Sequence, residues 1–343
     1  TMARSACWLT GCFRQLANQP AYQPGEPTEM KSLSGTTGTS ASHEGNAIIL
    51  AGGGEYRFQQ PVRIIQTCNH AEVAASLAEV GREVSAGAQA VGFLAYEAAP
   101  AFDPAMAVHP HGDEPLLWFG IYRQCQAEAY PPATPVEPFQ LGDWRLLGDR
   151  DEYARSAGRV RQLIAAGEVY QANLAFPMEA GFSGSPAAWF RQLSASQQAD
   201  FSCFMDLGDM QIASASPELF FQLSQMRVVT RPMKGTRPRG LWSEDDVRLA
   251  GELAESARDR AENAMIVDLL RNDLGRVCRP GSVKVEEAFK VERYRTVWQM
   301  TSTISGETSA GVPEIFAALF PCGSITGAPK ISAMRAINQL ESW

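Results

Sequence analysis

Strand-like and helix-like segments in this chain come in blocks; they do not alternate. One amphipathic helix pattern spans 151–166, with Tyr153, Val160, Leu163 and Ile164 inward and Gly167 as its stop. Five strand patterns follow, at 170–176, 201–207, 211–215, 219–223 and 226–230, and turn dipeptides such as Gly208-Asp209 suit antiparallel hairpins. A long helical stretch comes next. In it Ser243 and Asp246 are spaced as a capping box, and 257–273 carries Ala261, Met265, Leu269 and Leu270 on its apolar side. Strand patterns at 282–286 and 297–304 and helix patterns at 313–319 and 329–340 complete the chain. A doubly wound parallel sheet needs strand and helix to take turns, so the blocks predict an α+β fold.

Upstream, 47–50 and 56–58 read as short strands around Gly52-Gly53-Gly54. That triplet lacks the G-x-G-x-x-G spacing and no helix pattern follows it, so it is not read as a nucleotide loop. Residues 70–86 are expected to be helical, with Val73, Leu77 and Val80 on one face; 92–96 and 116–122 read as strands, and the Pro-rich 126–140 as a connection. Residues 31–43 hold Leu33 as their only large apolar side chain and cannot bury enough surface to order themselves. The expected organisation is a disordered or non-native tail over 1–45, an α/β subdomain over 46–140, and a third region over 141–343.

Charge and residue usage narrow the chemistry. Asp and Glu number 38 against 30 Lys and Arg, for a net charge of -8. With no global basic field to displace counterions, nucleic acid is not an expected partner. No run of 18 apolar residues exists, so no membrane span is expected. The seven Cys are odd in number and none forms a C-x-x-C pair, which reads as reduced thiols of a cytoplasmic protein. All four His, at 43, 70, 109 and 111, lie in the first third. That removes Ser-His and Cys-His catalysis and His-metal clusters from the rest of the chain. A metal there must be held by carboxylates, which points to Mg²⁺ rather than Zn²⁺.

Four motifs carry chemistry. Arg231-Pro-Met-Lys234-Gly-Thr236-Arg237-Pro-Arg239 puts four cations in one short stretch of an acidic protein. It reads either as a solvated basic loop or as an anion site in which Lys234, its pKa lowered by burial or neighbouring cations, can act as a nucleophile. On a helix, Asp259, Glu262 and Asp273 share one side, either as a salt-laced surface or with one carboxylate holding Mg²⁺. Gly323-Ser-Ile-Thr326-Gly327-Ala-Pro329-Lys330 is a loop-to-helix entry with Pro329 suited to the first helical position. Lys330 is disfavoured in that first turn unless an anion binds there. In Ser214-Ala-Ser216-Pro217-Glu218-Leu-Phe220, Glu218 lies between apolar strand residues. It is either an edge-strand carboxylate or a general acid with a raised pKa.

The order and spacing of these motifs, together with Tyr170-Gln171-Ala-Asn173-Leu and Gly92-Phe-Leu-Ala-Tyr96-Glu97, resemble the chorismate-utilising enzymes. The resemblance runs from about Ala47 to the end. It implies a four-layer α/β/β/α sandwich that binds chorismate, a dicarboxylate, with Mg²⁺ against the ring carboxylate. By that resemblance Glu262 is a Mg²⁺ ligand, Glu218 the acid that protonates the leaving C4 hydroxyl, and Thr236, Thr326 and Gly327 line the substrate pocket. Gln171 and Lys330 join them as substrate-binding positions, and 141–343 becomes the catalytic region.

Two positions sort the branches of the family. Lys234 stands where the anthranilate-forming branch has Ala, and in the aminodeoxychorismate-forming branch this Lys is the nucleophile at C2 before ammonia enters at C4. Gln171 stands where the isochorismate-forming branch has the Lys that activates water; a neutral amide cannot act as that base. The implied activity is amination of chorismate to 4-amino-4-deoxychorismate on the route to p-aminobenzoate and folate, with ammonia from a glutamine amidotransferase partner. The alternatives are the anthranilate-forming reaction and a non-catalytic fragment that keeps only partner binding. Gln299 departs from the His found in many members, and no Leu-Leu-Glu-Ser stretch is present, so tryptophan feedback is not expected. The usual layout continues beyond Trp343, so the fold is expected to be incomplete at its C-terminus.

Overall fold

The computed structural model describes residues 9–10, 44–129, 137–197 and 200–341. Its helices are α1 (His70–Ser85), α2 (Arg150–Ala165), α3 (Pro186–Gln197), α4 (Ser243–Glu255), α5 (Ala257–Gly275), α6 (Val312–Leu319), the single turn α7 (Gly323–Thr326) and α8 (Lys330–Leu340). The strands form one four-stranded and two five-stranded sheets and three short ladders, all paired antiparallel.

Strand periodicity of two builds the layers. In Leu117–Tyr122, all six residues are buried. Leu117, Phe119 and Ile121 face Val73, Leu77 and Val80 of α1, while Trp118 and Tyr122 face a second sheet through Ile49, Phe58, Cys203 and Met205. The far side of that second sheet sends Leu50 and Phe204 against Phe190 of α3. The order is helix, sheet, sheet, helix, the expected α+β sandwich. A third sheet, built on Val297–Glu307, packs Val228 and Ile304 against Ile266, Leu270 and Leu274 of α5 and Ile315 and Leu319 of α6.

The second sheet takes Ala47–Ala51, Gly54–Phe58 and Gln126–Ala129 from before residue 140 and Phe201–Asp206 and Gln211–Ser216 from after it. One sheet therefore joins both sides of the division expected at 140. Gly52 and Gly53 close the first hairpin with φ of 57° and 76°, the paired positive values that a two-residue type I′ turn requires. The expected tail falls largely outside the described residues; within it, Leu9–Thr10 pairs antiparallel with Phe93 and Leu94.

Several expected elements differ. The strand expected over 170–176 is only Gln171–Ala172, because its partner is the two-residue Gly327–Ala328, which Pro329 ends. Tyr153 and Ile164 of α2 are exposed, with Tyr153 meeting the edge of Phe176; Val160 and Leu163 are its buried apolar residues. Tyr96 begins a 3-10 helix, Tyr96–Ala101, instead of ending a strand. Helix α3 and the strand Met233–Pro238 were not expected. No capping box forms on α4. Trp242 is the N-cap, and Asp246 turns away to accept from Arg239 Nε at 2.7 Å, the Gly240 N–H at 2.9 Å and Trp298 Nε1 at 2.8 Å. On α5, Ala261 is exposed and the buried face is Asp259, Asn263, Ile266, Val267, Leu270, Asp273 and Leu274. Three polar residues on a buried face hide it from any search for apolar periodicity. No helix among the described residues is long and apolar enough to cross a membrane.

One buried charge ties the layers. Glu55 is 0% exposed and lies between Arg57 (2.6 Å) and Arg191 of α3 (3.0 Å). Burial works to raise its pKa, but the two guanidiniums outweigh it and hold the carboxyl below its ordinary value. The folded value is depressed, so this stabilisation is complete above the unfolded carboxylate range and is lost as pH falls through the folded value. Glu55→Gln is expected to cost about 3 kcal/mol at pH 7, the low end for breaking a buried pair because both arginines reach water. The difference should shrink toward pH 3 in urea titrations.

Candidate active site

Glu218 sits in the two-residue link between Gln211–Ser216 and Leu219–Ser224, where Ser216 Oγ accepts its N–H at 3.2 Å. Its carboxyl accepts a short hydrogen bond from the Ser324 hydroxyl, and the Cys322 thiol donates to it at 3.8 Å. Burial pushes Glu218 up to about 7, against the opposing pull of the Ser324 hydroxyl, Lys234 and Cys322. The same burial pushes the Cys322 thiol up to about 12, so it is a neutral donor.

Lys234 lies on Met233–Pro238, which pairs with Val297–Glu307 through a register shift between Met233 and Thr236. Such an irregularity re-aims a side chain. Helix α5 braces it. Asn263, 1% exposed, donates from Nδ2 to Met300 O at 3.1 Å and Lys234 O at 3.4 Å, and its Oδ1 accepts from Ser302 Oγ at 2.6 Å. Asp259 pairs with Arg237 at 2.9 Å. Burial lowers the Lys234 pKa, while Glu218, Cys322 and Glu262 act to raise it. The amine and the acid therefore lie within electrostatic reach of each other, each driven by burial toward its neutral form.

Glu262 is partly exposed on α5 and pairs with Arg258 at 2.9 Å. Among the described residues no group of three or more His, Cys, Asp or Glu is placed to hold a metal ion. Glu262 is the carboxylate that the resemblance assigns to Mg²⁺, an ion that at substrate sites takes one or two carboxylates with substrate oxygens and water.

The loop motif reaches the site by its backbone. Gln171 pairs with Ala328 and Ala172 with Gly327, and the Asn173 N–H donates to Thr326 O at 2.9 Å. Gly327 has φ 144°, and a Cβ there would lie 2.1 Å from Gln171 O, so only glycine lets the two strands meet. Thr326 is 0% exposed and spends its hydroxyl on Cys322 O at 3.0 Å; it holds the loop's shape. Thr236 is exposed and donates to Gln299 Oε1 at 3.0 Å. Pro329 is the N-cap of α8, one position earlier than expected, and Lys330 is the first helical residue. Lys330 is buried against Asp273 at 2.9 Å and donates to Leu319 O at 2.8 Å, so its charge is already matched.

A model of the chorismate binding enzyme family matches residues 39–343. The chain belongs to that family.

Curated relatives include aminodeoxychorismate synthase component 1 of Klebsiella aerogenes, 44% identical over 200 residues, which are 58% of this chain and 44% of that protein. The enzyme of the same name from Escherichia coli (strain K12) is 43% identical over 211 residues, 61% of this chain and 47% of the other. Anthranilate synthase component 1 of Aquifex aeolicus is 36% identical over 202 residues, 58% and 41%. The chain spans about half the length of the curated relatives it matches. Among solved structures, anthranilate synthase component I from Streptococcus pneumoniae superposes with a TM-score of 0.68 at 23% identity, covering 91% of this chain and 80% of that one. MenF, the menaquinone-specific isochorismate synthase from Escherichia coli, gives 0.67 at 15% identity, covering 89% and 74%. These two similarities show the fold.

In this member of the family, four residues escaped sequence reasoning. Cys322 immediately precedes the loop motif and Ser324 lies within it, and neither was distinguished there from its neighbours. Asn263 stands four residues after Asp259 on α5, an uncharged amide on a helix face otherwise marked by carboxylates. Asp273 was seen as a carboxylate but not as the partner of Lys330, which lies 57 positions later.

Proposed function

We propose that the protein carrying this chain aminates chorismate to 4-amino-4-deoxychorismate, using ammonia delivered by a glutamine amidotransferase subunit, in the cytoplasmic supply of p-aminobenzoate for folate. The observation that carries this reading is the half-buried Lys234, on the strand braced by Asn263, within electrostatic reach of the protonatable Glu218 that Ser324 and Cys322 hold. Lys234 supplies its lone pair to C2 of chorismate while Glu218 gives its proton to the C4 hydroxyl, which leaves as water. Ammonia then forms the bond at C4, the C2–N bond to Lys234 breaks, and the surplus proton returns to Glu218. Asn263 and Asp259 hold the lysine strand through this cycle. Gln171 offers an amide where a water-activating base would have to stand. Mg²⁺ held by Glu262 would neutralise a substrate carboxylate.

The complete protein incubated with chorismate, ammonium chloride and Mg²⁺ should release a product with the mass of 4-amino-4-deoxychorismate. Chelation should stop turnover and added Mg²⁺ should restore it. Anthranilate with pyruvate as the sole product would overturn the reading in favour of the anthranilate-forming reaction.

A further inference from the structure

A lysine in the first turn of a helix opposes the helix dipole, yet Lys330 is there, buried. Its surroundings resolve the conflict. Nζ donates to Leu319 O at 2.8 Å, at the C-terminal end of α6, where carbonyls lack helical partners and a cation is favoured. The same Nζ lies 2.9 Å from Asp273, in the last turns of α5, where a carboxylate is disfavoured without a counter-ion. Arg276 adds to the field on Asp273 and donates to Ala318 O at 3.4 Å. One ammonium thus serves the C-terminal ends of two helices, α5 and α6.

The topology of this contact matters more than its charge. By bonding to Leu319 O, Lys330 closes residues 319–330 into a ring and pins the ring to α5. Inside the ring lie Cys322 and Ser324, the two donors to Glu218, and the Gly327–Ala328 strand that receives Gln171. We propose that Lys330 and Asp273 form a clasp that positions Cys322 and Ser324 against the Glu218 carboxyl, Lys330 being a positioning residue and not a ligand of substrate. The functional part of this inference rests on the chorismate-aminating reading; the clasp itself does not.

A buried ion pair that loses one partner leaves an uncompensated charge, whereas removing both partners leaves none. Three variants of the complete protein use that asymmetry: Lys330→Met, Asp273→Leu, and both together. In Lys330→Met, kcat with ammonium chloride should fall about 100-fold, the scale expected from a misplacement near 1 Å, with KM for chorismate within about threefold of the parent. The double variant should regain at least about tenfold in kcat. A KM raised to the same extent in the single and double variants would mark Lys330 as a direct carboxylate contact and overturn the proposal.

Amide exchange followed by mass spectrometry gives an arm independent of turnover. Peptides covering 319–330 should exchange at least about tenfold faster in Lys330→Met and return toward parental rates in the double variant, whatever the assay shows. Unchanged exchange in the single variant would overturn the clasp. If Lys330→Met does not fold, the near-isosteric Asp273→Asn carries the same two readouts, and an Asp273→Asn variant with parental kcat and parental exchange would equally overturn it. Absence of turnover in the parent would sink the aminating reading and leave the exchange result to decide the clasp.

Discussion

Lys234→Ala should lower chorismate amination by roughly 10³-fold or more, because the step that activates C2 loses its nucleophile. Lys234→Arg should be as inactive, since a guanidinium keeps the positive charge but has no neutral form at accessible pH. The pairing of these variants separates nucleophile from counter-ion: an electrostatic role would leave the Arg variant partly active. Burial holds the Lys234 pKa below its ordinary value, so more of the amine is free near neutrality than in an exposed lysine. Intact-mass and peptide analysis of enzyme quenched with chorismate should find an adduct on the peptide bearing Lys234. An adduct elsewhere, with full activity in the Ala variant, would remove the lysine from the mechanism.

Glu218→Gln is expected to cost about 10²–10⁴-fold in kcat, the range for a lost general acid. The pH profile sharpens the test. The acid works only while protonated, and burial places its pKa at about 7, so activity should decline as pH rises through that value and the Gln variant should lack that limb. Stability should move the opposite way. The folded pKa is raised above the unfolded value, so stability is fully present below the unfolded carboxylate range and is lost as pH rises through about 7. At pH 8 the Gln variant should therefore unfold later in urea than its parent, by up to about 3 kcal/mol, with the two converging near pH 4. Parental activity and an unchanged pH limb in Glu218→Gln would assign the proton to another group.

The layers were legible because apolar alternation in strands and a three-four apolar repeat in α1 are local signals; Val73, Leu77 and Val80 face the core as their spacing demands. Glu218 and Lys234 stood out as candidates for a different reason: each is an ionisable residue set among apolar or conformationally fixed neighbours, a contrast visible without a fold. The supports of the site were not. The buried face of α5 is marked by Asp259, Asn263 and Asp273, each meeting a partner 22 to 57 positions away in sequence. A polar residue with a distant partner looks, in sequence, like a polar residue facing water. The same limit misread α2, where Tyr153 and Ile164 had the right spacing but stay exposed, Tyr153 meeting only the edge of Phe176.

The second sheet has a consequence for how the protein comes into being. Ala47–Ala51 pairs with Phe201–Asp206, Ile49 opposite Cys203, a separation on the order of 150 residues. At about 5–20 residues per second, a ribosome needs roughly ten seconds or more to deliver the second strand after the first. Through that interval the hairpin formed by Ala47–Ala51 and Gly54–Phe58 keeps the far edge of Ala47–Ala51 unpaired. Nascent chains must wait in that state, with one edge of the central strand unpaired, until Phe201–Asp206 and then Gln211–Ser216, the strand that leads into Glu218, complete the sheet.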